Sequence, residues 1–93
     1  MARYVTLIRF TDQGARAIRK SAARALAFKK AAEKAGLTVE TQLWTTGARD
    51  GVLILSGEEK KILRCLTQLA TLGNVRTETM QAFDAAELKA IVG

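Results

Sequence analysis

LTVETQLWT (residues 37–45), TGARDG (46–51), VLIL (52–55) and SGEE (56–59) follow one another without a break. The first segment sets Val39, Leu43 and Trp44 among Thr, Glu and Gln and reads as a half-exposed strand. The second is a turn cluster and the third a short, wholly apolar strand, so together they make a hairpin. Ser56 followed three residues later by Glu59 has the spacing of a capping box and predicts a helix start. A hairpin set between two helices points to the split β-α-β-β-α-β arrangement and away from a parallel α/β sheet.

Downstream, Ile62, Cys65, Leu66, Leu69 and Leu72 form the apolar stripe of the second helix, closed by Gly73-Asn74. Residues 75–83 read as the fourth strand. A last short helix opens at Asp84, with Glu87 completing a capping box and Phe83 and Leu88 at the staple positions. Upstream, residues 3–10 carry Tyr4, Val5, Thr6, Ile8 and Phe10 and read as the first strand. Thr11-Asp12-Gln13-Gly14 punctuates it, with Asp12 expected to cap a short helical piece over residues 15–20. Ser21 offers a second start, from which Ala25, Phe28, Ala32 and Ala35 recur at helical spacing up to Gly36. The expected fold class is α+β, ferredoxin-like, with a four-stranded antiparallel sheet and a short C-terminal helix.

At 93 residues and 48% apolar, the chain suits one domain spanning 1–93 and is too short for two cores. One cysteine, Cys65, excludes an intrachain disulfide and multi-thiolate zinc sites. The absence of histidine excludes Ser-His and Cys-His nucleophile pairs, an imidazole base and His-ligated metals. No metal site and no cofactor are expected. The start MARYVTLIRF has no signal-peptide core, and apolar runs stay far below a membrane span, which predicts a cytoplasmic protein without membrane contact. Net charge is +6, and Arg16, Arg19, Lys20, Arg24, Lys29, Lys30 and Lys34 concentrate it on the first helical segment, against Asp12 and Glu33. Such a face can attract phosphate backbones, although a solvated helix surface explains it as well.

The strands carry a second message. Leu53 and Leu55 alternate with Val52 and Ile54, and Val5 and Leu7 alternate with Tyr4, Ile8 and Phe10 around Thr6. Two central strands with no wet face predict a second layer over the side away from the helices, in part the short terminal helix or, more simply, a second copy across a two-fold axis. Thr77, Thr79 and Gln81 fall beside Thr6 by alternation, and Gln42 and Trp44 join them. Placed on the side away from the helices, these polar groups suggest a small pocket between sheets.

Several stretches together resemble the GYD domain family: Tyr4-Val5-Thr6-Leu7 with Thr11-Asp12-Gln13-Gly14, Arg24 to Lys29, and Trp44-Thr45-Thr46-Gly47 ahead of Asp50. The most specific is Leu72-Gly73-Asn74-Val75-Arg76-Thr77 with Thr79, closing on Ala82-Phe83. The resemblance implies a homodimeric α/β-barrel of the ferredoxin-like class, paired sheet face to sheet face, and implies no particular reaction. One position departs from the family pattern: Arg49 stands where the Gly-x-Tyr-Asp loop has tyrosine. An arginine there favours an anionic group, or pairs with a neighbouring acid.

The candidate ligand-binding residues are therefore Thr6, Trp44, Arg49, Asp50, Arg76, Thr77 and Thr79. Each has a structural alternative. Asp50 accepts loop N–H groups readily, Asn74 suits the turn after Gly73, Arg76 pairs with Glu40 or Glu78, Cys65 is a core residue, and Trp44 fills an interface. Three functions follow: a small homo-oligomeric domain binding an anionic or aromatic small molecule between sheets; a cofactor-independent enzyme working through Asp50 or a pocket hydroxyl; and a weak nucleic-acid binder acting through the basic first helix. The last is disfavoured, because Val52-Leu53-Ile54-Leu55 has no aromatic side chain for base stacking.

Overall fold

The computed structural model describes residues 2–93. The elements are β1 (Ala2–Phe10), α1 (Asp12–Arg16), a 3-10 turn (Ile18–Lys20), α2 (Ser21–Lys34), β2 (Thr38–Trp44), β3 (Gly51–Gly57), α3 (Glu59–Thr71), β4 (Val75–Gln81) and α4 (Ala85–Val92). The sheet order is β2-β3-β1-β4 with every neighbouring pair antiparallel, as the split arrangement requires.

The barrel expectation is corrected. β2 and β4 lie at opposite edges with β3 and β1 between them, and among the described residues no strand pairing joins the two edges. A barrel requires that closure. The sheet is open and uncurled, so the chain is an α+β fold with a four-stranded sheet and no α/β-barrel.

Local starts and stops differ in instructive ways. Thr11, not Asp12, caps α1, its hydroxyl accepting the Gly14 N–H at 3.1 Å. The expected helical piece over 15–20 is split between α1 and the 3-10 turn. α2 starts at Ser21, with Lys20 at the N-cap and no side-chain cap. Ser56 caps nothing, because β3 runs on through Gly57 and Ser56 pairs with Arg3 on one side and Thr38 on the other. The N-cap of α3 is Glu58, again without a side-chain bond. Asp84 and Glu87 do form the capping box of α4.

α2 ends in a Schellman motif: the Gly36 N–H donates to the Glu33 carbonyl at 3.0 Å and the Leu37 N–H to the Ala32 carbonyl at 2.9 Å. The motif needs a left-handed residue, and Gly36 has φ +91°. It also delivers Leu37 next to Ala32 in the core, which comprises Ala32, Leu37, Leu53, Leu55, Ile62, Cys65 and Leu66. Of the stripe expected on α3, Ile62, Cys65 and Leu66 are buried, but Leu72 is 60% exposed because it lies past the last turn.

The face assignment is also corrected. Leu53 and Leu55 point at the helices, and register places Thr6 opposite Leu53 and Tyr4 opposite Leu55. Tyr4 and Ile8 pack on the core, so Thr6 and its neighbours lie on the helix side. Thr6 is fully buried there, its hydroxyl 3.0 Å from that of Thr79. The other face presents Val5, Leu7, Leu43, Val52, Ile54 and Met80, with Leu43 58% and Met80 45% exposed. Val5, Leu7, Val52 and Ile54 on that face are half-buried, and Arg3 on the same face is tied to Glu87 of α4.

Candidate functional site

Two of the resemblance motifs prove to be each other's partners. Thr11 donates its N–H to the Asn74 carbonyl (3.1 Å) and its hydroxyl to the Gly73 carbonyl (2.6 Å). Gln13 Nε2 donates to the Leu72 carbonyl at 3.0 Å and to Asn74 Oδ1 at 2.8 Å. Gly14 is buried directly beneath Asn74, where an added Cβ would overlap the Asn74 carbonyl. These residues weld α1 to the loop after α3.

Asp50 welds the hairpin loop to β1. Its Oδ2 accepts the Phe10 N–H at 2.8 Å, its N–H donates to the Ile8 carbonyl at 2.8 Å, and its carbonyl accepts the Thr45 N–H at 2.9 Å. Thr45 Oγ1 donates to the Arg49 carbonyl at 2.7 Å, tightening the same loop. The Arg49 guanidinium pairs with Glu78 at 2.7 Å across the open face, and Arg3 pairs with Glu40 at 3.5 Å and Glu87 at 2.9 Å. Those contacts occupy the acids considered for Arg76, which has no ion pair among the described residues and sits opposite Arg9.

The main concavity lies between α2, α3 and the β1-β3-β2 part of the sheet, with a volume of about 410 Å³, within the usual span of small-molecule sites. Phe10, Phe28, Trp44, Leu53 and Leu69 line its apolar body, and Ser21, Arg24, Gln42, Asp50 and Asn74 supply polar groups. Several of those polar groups are held by bonds within the protein. Trp44 Nε1 donates to Ser21 Oγ at 2.9 Å, and Gln42 Nε2 donates to the Ala25 carbonyl at 3.0 Å. Arg24 donates to the Ala17 carbonyl at 3.2 Å, drawing the guanidinium to the start of α2. Cys65 lines the cleft floor, and burial pushes its thiol pKa up, more than the nearby Arg64 lowers it.

Of the seven candidate residues, Trp44 and Asp50 line the cleft. Thr6 is buried beside it, Thr77 and Thr79 lie exposed on β4 beyond it, and Arg49 and Arg76 belong to the open side. Sequence reasoning missed Arg24 and Phe10 as lining residues; the alternation that grouped Gln42 with Trp44 did find a pair that lines one cavity. Among the described residues, no group of three or more His, Cys, Asp or Glu is placed to hold a metal ion.

The model of the GYD domain matches residues 4–92, nearly the whole chain. The chain belongs to the GYD domain family. This GYD domain is also similar to the crystal structure of TTHA0845 from Thermus thermophilus, at 26% identity and a TM-score of 0.55, over 91% of this chain and 96% of that one. No functionally curated protein matches it. Among the described residues of this GYD domain, no helix is long and apolar enough to cross a membrane.

Proposed function

We propose that this GYD domain is a small-molecule-binding protein that works as a homo-oligomer, with its ligand held in the cleft between the helices and the sheet. The observation that carries the reading is the cleft itself: about 410 Å³, walled by Phe10, Phe28 and Trp44, with a few convergent polar groups. The pocket expected between two sheets moves to the helix side with the corrected faces. Binding is favoured over catalysis because Asp50, the acid at the cleft, has an oxygen taken by the Phe10 N–H. That bond gives the carboxylate a structural role in the loop and leaves Oδ1 alone to meet a substrate.

Thermal denaturation with small aromatic and branched aliphatic compounds tests this reading. A ligand at 100 times its Kd stabilises the fold by about 2.7 kcal/mol. A rise in melting temperature that Ala25→Phe removes supports the cleft. A flat response across the panel contradicts it.

The open face favours self-association. Six apolar side chains lie between Arg9 and Arg76 at one end and Glu40 and Glu87, with Arg3, at the other. Two open sheets stacked antiparallel across a two-fold axis would cover the apolar band and set unlike charges over one another. Sedimentation equilibrium at micromolar concentration reads the outcome, and Ile54→Lys should yield monomers. Wild-type protein that sediments as a monomer contradicts the oligomer.

A further inference from the structure

We infer that the cleft takes an apolar or aromatic monocarboxylate, its carboxylate on the Arg24 guanidinium and its body against Phe28 and Trp44; this rests on the cleft being the ligand site. Two charged side chains line the cavity, Arg24 and Asp50. Two of the neutral donors are spent inside the protein, Gln42 Nε2 on the Ala25 carbonyl and Trp44 Nε1 on Ser21 Oγ, and the Ser21, Gln68 and Asn74 side chains that remain carry no charge. Arg24 is different. Its guanidinium carries five N–H donors, the bond it makes goes to the Ala17 carbonyl, and among the described residues no carboxylate lies within 4.0 Å of it. A half-buried guanidinium with spare donors at the wall of an apolar cavity is suited to a planar two-oxygen acceptor.

Asp50 sets the charge limit. With one cation and one carboxylate in the lining, a second negative charge on the ligand would meet Asp50 without a compensating cation. A phosphate monoester, which approaches two charges at neutral pH, is therefore disfavoured. The apolar walls supply affinity for a ring or branched chain, and the guanidinium selects its acid form over neutral analogues.

Isothermal titration with 3-phenylpropionate, 3-phenylpropanol and phenyl phosphate at neutral pH tests the assignment. The carboxylate should bind at least about 10-fold more tightly than the alcohol, the order expected for hydrogen bonds to a charged group. Arg24→Gln should remove that preference by weakening the acid far more than the alcohol, and Arg24→Lys, which keeps charge without the fork, should restore part of it. Should Arg24→Gln fail to fold, Arg24→Lys alone must still weaken the carboxylate relative to the alcohol. Equal binding of acid and alcohol to wild type, or tighter binding of phenyl phosphate, overturns the carboxylate assignment while the cleft stands. No binding of any probe to wild type overturns the cleft reading and the carboxylate with it.

Discussion

Asp50 shows how one residue carries the β1–β3 pairing on into the hairpin loop. Its carboxylate and its backbone both bond β1, at Phe10 and Ile8. Asp50→Ala leaves the half-buried Phe10 N–H without its acceptor and should lower unfolding free energy in urea by about 1–3 kcal/mol. Gly14→Ala forces a methyl group into the Asn74 carbonyl and should cost about 1–3 kcal/mol by the same measurement, because backbone rather than a pliable side chain must yield. Cys65 gives a pH signature. Its thiol ionises higher in the folded chain than in the unfolded one, which ionises near its ordinary value of about 8.5. Above that value the unfolded state holds fewer protons, so stability falls as pH rises. Unfolding curves collected from pH 7 to 10 should show that decline in wild type and a shallower one in Cys65→Ala.

At the level of elements, α4 stands apart. It contributes nothing to the core, its side chains at Leu88, Ile91 and Val92 are exposed, and Glu87 ties it to Arg3. Asp84→Ala removes the capping box at a cost of about 1 kcal/mol. Amide exchange should accelerate over residues 85–92 and stay unchanged in β1 and β3. The order of elements was legible because each boundary has a chemical cause: Gly36 for the left-handed turn, Gly73-Asn74 after α3, Asp84 and Glu87 for α4. The Ser56–Glu59 spacing misled because two neighbouring strands hold Ser56 in the sheet, a tertiary constraint that outweighs a local capping preference. The face of Thr6 was illegible for a different reason. When β1 and β3 are apolar on both sides, alternation fixes which residues share a face but not which face meets the helices. Thr6 sits inside because Thr79 supplies the partner its hydroxyl needs. In the cleft, Gln42 and Trp44 share a strand and alternation could group them, whereas Arg24 reaches the cavity through helix-on-sheet packing that leaves no local mark.

Over the whole molecule, the two sheet faces divide the work. The helix side closes the core and leaves a cavity beside it, and the opposite side exposes an apolar band bracketed by ion pairs. Charge follows the same division: ten of the fifteen Lys and Arg residues lie between Asp12 and Lys34 or on α3, away from the apolar band. Self-association through the band would leave the cationic helices in solvent, and salt should weaken such a dimer only through the unlike charges at the two ends of the band. Whether a ligand binds, and on which face, can be read directly by backbone amide chemical shifts during titration with 3-phenylpropionate. Saturable shifts centred on Ala25, Phe28, Trp44 and Leu53 are expected. Shifts centred on Val5, Leu7, Ile54 and Met80 instead, or no saturable shift at all, would contradict a binding site beneath the helices.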